Sequence, residues 1–210
     1  MTIFTLRGIP IRLHVSFVIM AVSLVLWRFF TYNLESALLM AFLGLLLFGT
    51  VLLHELGHAF TAQIFGIRTK DIILYPFGGM ARIENSLEDK SQEFYIALAG
   101  PAVNVVVATF STFLSWLGLP WFFELAVINI IMGTFNLIPA FPMDGGRILR
   151  SFLTRYMGFE KATRYSLIVS KFFGWTFVII GLIKGWIMLV VVGIVLNVLI
   201  RSETIRLNST

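Results

Sequence analysis

Long apolar runs alternate along this chain with short polar breaks, and the runs have the length of membrane-crossing helices. A spanning helix takes roughly 20 mostly apolar residues. Val15 to Thr31 predicts the first and Ser36 to Phe65 the second. The pattern then changes. "GIRTKDIILYPFGGMARIENSLEDKSQE" is polar at its edges and β-prone in its middle, which predicts two short strands around Gly78 and Gly79 and a charged loop after them. Glu93 to Leu117 predicts a third span and Trp121 to Ile138 a fourth. "PAFPMDGGR" stops that helix, because proline cannot continue the hydrogen-bond ladder. Gly145 to Tyr156 is short, basic and amphipathic, as suits a membrane surface. Tyr165 to Ile183 and Trp186 to Ile200 bring the total to about six transmembrane helices. The expected architecture is an α-helical polytopic membrane protein, a single domain over residues 1–210. Its short membrane-associated β segment falls between the second and third spans.

Composition agrees with the pattern. Of the 210 residues 58% are hydrophobic and 13% charged, against roughly 25% charged in soluble domains. The net charge of +5 fits loops that set membrane orientation better than a nucleic-acid partner. The chain has no cysteine, so any metal must be held by His, Asp or Glu. The opening "MTIFTLRGIPIRLHV" lacks the apolar core and cleavage site of a signal peptide, so the first apolar run is expected to stay as an anchor. With six spans and a cytosolic N-terminus, every Lys and Arg except Arg28 and Lys184 falls on a cytosolic segment. That skew predicts both termini inside.

Inside the second span stands "HELGH", with His54, Glu55 and His58. Ionisable groups at membrane depth mark functional sites. Positions i and i+4 share a helix face, so two imidazoles can meet one ion with Glu55 beside them. This is the H-E-x-x-H arrangement of two zinc ligands and a general base. His58 lies seven residues before Phe65, about 10 Å at 1.5 Å per residue, within reach of cytosolic water. A hydrolytic zinc site usually takes a third protein ligand. Asp144 is the candidate, on the irregular backbone after Pro139 and Pro142. As an alternative it caps the amphipathic helix that follows. His14 reads as an interfacial residue near a helix start rather than as a ligand.

These stretches together resemble the site-2 protease family of intramembrane zinc metalloproteases, in its prokaryotic form without a PDZ domain. HELGH matches the family's metal-binding span, and "NLIPAFPMDGGRILR", Asn136 to Arg150, its later metal-binding motif. "AGPAVN", Ala99 to Asn104, resembles the third-span motif, and "LYPFGGMA" the membrane-embedded β segment. The resemblance implies one Zn2+ held by His54, His58 and Asp144, with Glu55 as catalytic base. It implies substrate-binding or oxyanion roles for Asn136, Asn104, Gly78 and Gly79. For Asn136 the alternative is an interhelical hydrogen bond, and for Asn104 plain packing. A PDZ insertion has no room here. The chain also stops ten residues after its last expected span, so a regulatory domain is either absent or cut away.

The expected activity is intramembrane endoproteolysis of a transmembrane protein substrate in the lipid bilayer, as in regulated intramembrane proteolysis, releasing a cytosolic signalling fragment. The scissile helix must unwind, because its amides are otherwise paired internally. Met80 to Glu84 is expected to form an exposed strand edge that holds the extended substrate; a hairpin that only plugs the bundle is the alternative. No nucleic-acid partner is expected. The rival readings are a transporter or metal channel that coordinates ions through His and Asp, and a catalytically dead membrane scaffold.

Overall fold

The computed structural model describes residues 1–76, 78–84 and 92–208, of which Glu203 and residues 206–208 by backbone alone. The expected charged loop falls mainly on residues 85–91 and so outside the described residues. The elements run β1 (Thr2–Leu6), β2 (Ile9–Leu13), α1 (Val15–Thr31), α2 (Leu34–Ile64), β3 (Thr69–Tyr75), β4 (Gly78–Ile83), α3 (Gln92–Trp116), α4 (Phe122–Asn136), α5 (Asp144–Met157), α6 (Phe159–Lys184) and α7 (Ile187–Asn208). The chain clusters into two compact units: Met1–Ser86 with Ala102–Gly133, and Leu87–Pro101 with Thr134–Thr210. Among the described residues α2, α3 and α6 are long and apolar enough to cross a membrane, while α1, α4 and Ile187–Ser202 are shorter apolar helices.

The first unit holds a four-stranded sheet in the order β1-β2-β3-β4. β1 pairs antiparallel with β2, β2 parallel with β3, and β3 antiparallel with β4. The β1–β2 hairpin adds to the two strands expected from sequence. Arg7 and Gly8 join its strands with φ of 48° and 81°. A two-residue turn with both central residues at positive φ matches the twist of paired strands, and Gly8 takes that conformation without steric cost. The parallel β2–β3 pair, Ile11 against Ile72, needs the long crossover that α1 and α2 provide.

α2 starts at Asn33, whose side chain accepts the Ser36 N–H at 2.8 Å and satisfies one of the free amides of the first turn. Its buried positions Val51, His54, His58 and Ala62 step by three or four residues and form one stripe. Val51, Leu56 and Ala59 of α2 pack with Ile9, Ile11, Ile72 and Leu74 of the sheet. Each large aliphatic side chain buried in this way contributes about 1.5–3 kcal/mol. The sheet is clasped at Asp71, which is buried and paired with Arg12 at 3.0 Å and with Arg82 at 2.5 Å. The Arg82 hydrogen bond, with the charges of Arg82, Arg12 and Lys70, holds the Asp71 carboxyl below its usual value against the opposing effect of burial.

The second unit is built on α5, α6 and α7. Ala140, Met143, Leu167, Leu196 and Ile200 form its core. The Phe141 N–H donates to Ser170 Oγ at 2.8 Å, which ties the irregular stretch before α5 to α6. Gly145 and Gly146 let α5 lie directly on that stretch: a Cβ on Gly145 would stand 2.3 Å from the Ile138 carbonyl oxygen, and one on Gly146 would stand 2.6 Å from the Phe141 nitrogen. Large apolar side chains such as Phe30, Leu45, Trp116, Ile131, Phe172 and Ile183 stand exposed on the helices. That surface is costly in water and ordinary in hydrocarbon.

Candidate active site and metal centre

His54 and His58 are both buried on α2. Their Nε2 atoms face each other at 3.1 Å, with the rings 4.7 Å apart and nearly perpendicular. Two lone-pair nitrogens so close repel unless a proton or a cation lies between them. Two zinc ligands at about 2.0–2.1 Å in tetrahedral geometry would stand roughly 3.3 Å apart, so the spacing suits a shared ion. His54, His58 and Asp144 each offer one ligand atom and could hold a metal ion. Two imidazoles and one carboxylate are a zinc-type donor set.

Asp144 is buried at the first position of α5. The residue that caps this helix is Met143, which makes no side-chain cap bond. The capping alternative for Asp144 is therefore not what the backbone does. His14, in contrast, does cap a helix: its Nδ1 accepts the Ser16 N–H of α1 at 3.3 Å, and its ring lies 4.8 Å from that of Tyr75.

Glu55 is half-buried and points at the sheet. The Ala81 N–H donates to its Oε2 at 2.9 Å. Gly79 is the residue that makes this approach possible, since a Cβ there would stand 2.5 Å from Glu55 Cγ. The glycine pair thus lies inside β4, opposite Leu74 and Tyr75, and not in the turn where the sequence pattern put it. Gly78 carries φ +144°. β4 is an outer strand of the sheet. Successive amides alternate in direction, so the Gly79 and Ile83 N–H groups face the same side as that of Ala81.

Asn104 is fully buried on α3, and its Oδ1 lies 2.6 Å from His54 Nδ1. Its Nδ2 donates to Asn129 Oδ1 at 3.0 Å. Asn136 ends α4 and is partly buried. Sequence reasoning passed over Asn129 and Thr50, which continue the chain of hydrogen bonds from His54. The signal was available in "ELAVINIIMGTF", where one Asn interrupts an otherwise apolar helix. Glu93 was read as a helix start. It is buried, and bonds Arg150 and, at 3.5 Å, Arg147 of α5, the helix that begins with Asp144.

An apolar helix bearing a buried H-E-x-x-H metal set, with a strand laid against its glutamate, defines a metallopeptidase class of membrane protein. Within that class the chain belongs to peptidase family M50, which it matches over residues 41–121 and 115–180. A zinc metalloprotease of Methanocaldococcus jannaschii is 34% identical over 198 residues, covering 91% of this chain and 57% of that protein. Stage IV sporulation protein FB of Bacillus subtilis is 32% identical over 184 residues, covering 79% of this chain and 60% of that protein. Among solved structures, the site-2 protease from Methanocaldococcus jannaschii superposes with a TM-score of 0.71 at 32% identity, covering 97% of this chain and 94% of that one. The chain thus spans just over half the length of the first of these curated relatives. The resemblance to site-2 proteases is borne out, and the transporter reading gains no support.

Proposed function

We propose that residues 1–210 act as one transmembrane metalloprotease domain, an intramembrane zinc endopeptidase that cuts a membrane-protein substrate within or near a transmembrane segment. The observation that carries this reading is the pair of buried imidazole nitrogens 3.1 Å apart with Glu55 between them in sequence. His54, His58 and Asp144 hold one zinc ion. When bound there, zinc supplies Lewis acidity and an activated water. Glu55 takes the proton of the attacking water on one carboxylate oxygen while Ala81 N–H holds the other, and passes that proton to the leaving amine. Asn136 contacts substrate or the developing oxyanion. The substrate lies extended along β4, whose outward amides at Gly79 and Ile83 offer hydrogen bonds without demanding a sequence. All six apolar helices span, both termini face the cytosol, and the site opens to that side; this arrangement puts every Lys and Arg except Arg28 and Lys184 on cytosolic segments, which supports it. Cleavage there releases a cytosolic fragment of the substrate.

Purified Glu55→Gln tests this reading. It is expected to retain one zinc per chain and to lose cleavage of a transmembrane substrate, since the carboxylate is the base and not a ligand. Loss of zinc would make Glu55 a ligand or a structural partner. Cleavage that survives both the substitution and a zinc chelator would end the metalloprotease reading.

A further inference from the structure

A buried row of polar side chains runs away from His54, and its direction is fixed at one end. Asn129 Nδ2 donates to the Leu125 carbonyl oxygen at 2.8 Å. A backbone carbonyl can only accept, so the amide group of Asn129 must point there with its nitrogen. The second N–H of the same nitrogen reaches Thr50 Oγ1 at 3.3 Å. Asn129 Oδ1 is thereby turned toward Asn104, whose Nδ2 donates to it at 3.0 Å. Asn104 Oδ1 is in turn the atom that faces His54 Nδ1, at 2.6 Å. An amide oxygen accepts only, so Nδ1 carries the proton and Nε2 keeps its lone pair. Nε2 is the atom that faces His58 Nε2. Asn104, Asn129 and Thr50 are each at most 2% exposed, so water does not compete along the row.

We propose that Asn129 and Asn104 are positioning residues that set the His54 tautomer and so determine how tightly this chain holds its metal. The inference rests on the reading of His54 as a metal ligand. Asn104 alone has no preferred direction, because its amide can turn over and present Nδ2 to the imidazole. That flip would favour the proton on Nε2 and block the ligand atom. Asn129, two hydrogen bonds away from the imidazole, prevents it. Side chains that orient a metal-bound His in this way are worth about 10–100-fold in metal affinity.

The test is zinc affinity of the full chain in detergent, measured by competition with a chromogenic chelator. Asn104→Leu and Asn129→Leu are each expected to bind zinc about 10–100-fold more weakly than the parent protein. Asn104→Asp is expected to bind at least as tightly, because a carboxylate presents an acceptor whichever way it turns. For the same reason Asn129→Leu should cost no further affinity in the Asn104→Asp background. Asn129→Leu binding like the parent would overturn the relay. So would an equal loss from Asn129→Leu in the Asn104→Asp background and in the parent, since that marks a packing role. A parent protein that takes up no zinc would overturn the metal centre and the relay together. Where Asn129→Leu does not fold, Asn129→Ala replaces it in the same cycle, and Asn104→Asp and Asn104→Leu decide the first link alone.

Discussion

At the scale of single residues, a close tolerance at the site lies between Gly79 and Glu55. A methyl group on Gly79 would stand 2.5 Å from Glu55 Cγ, so the glutamate must swing aside and give up the Ala81 N–H. Gly79→Ala is expected to leave zinc stoichiometry unchanged and to reduce cleavage at least tenfold, measured on a transmembrane substrate at saturating concentration. Near-normal turnover would mean that Glu55, the proposed base, needs no support from β4. A second residue-scale expectation concerns acid. The Asp71 carboxyl is held below its usual value by its hydrogen bond with Arg82 and by the nearby cations, and Arg82 is shifted upward by the same bond. A carboxyl with a lowered value in the folded chain stabilises fully above its ordinary value of 3.8. It loses that contribution as the pH falls through the lower folded value. Thermal melting in detergent should therefore fall more steeply below about pH 4 in the parent than in Asp71→Asn, which lacks the pair at every pH. Parallel acid profiles would remove Asp71 from the account.

Among the elements, α5 shows most clearly how the proposed ligand Asp144 is placed. Arg150 is bonded to buried Glu93, and its guanidinium lies 4.9 Å from the Phe141 ring and 5.1 Å from that of Phe159. One side chain thus joins the start of α3, the stretch before α5 and the start of α6. Glu93→Gln leaves a largely buried guanidinium without its counter-charge, a loss of about 3 kcal/mol for pairs of this kind. The expected result is a lower unfolding midpoint in detergent together with weaker zinc retention, because Asp144 is the first residue of the helix this clasp fixes. Normal stability with normal zinc would leave the cluster no part in fixing α5. None of this was legible in the chain, since Glu93 and Arg150 are far apart in sequence and each has an ordinary reading on its own helix. The apolar helices were legible because their periodicity and length are local properties. Their ends agree with the sequence pattern to within two residues for α1 to α5. The β1–β2 hairpin was missed because Arg7-Gly8 offers only its glycine as a turn residue and lacks the Asn or Asp that usually takes the first positive φ. Its partner β3 lies beyond two helices, and a parallel pairing of that kind leaves no mark in the sequence near either strand.

At the scale of the whole molecule, the HELGH triplet was readable because its spacing is a helix turn, and the resemblance carried Asp144. The burial of Asn104 against His54 was not readable, because a hydrogen bond between two helices has no sequence period. The proposed orientation in the bilayer rests on charge and is open to a direct test, since the chain has no cysteine of its own. Cysteines introduced at Lys70 and Tyr156, both exposed, are expected to react with a membrane-impermeant thiol reagent from the cytosolic side, and one at Gly118 from the opposite side. Ser151 is buried and unsuited to such labelling. The reverse pattern would invert the proposed topology.

One consequence of the helix lengths reaches beyond the protein. α4 has 15 residues, about 22 Å at 1.5 Å per residue, against a hydrocarbon core of roughly 30 Å. If it spans, as proposed, it would force the surrounding lipid to compress, at a fraction of a kcal/mol per ångström of mismatch. A substrate helix of ordinary length entering such a thinned annulus would have its end turns pushed out among headgroups and water. There its amides exchange internal partners for solvent at little cost. The lipid around the protease would thus begin the unwinding that hydrolysis needs.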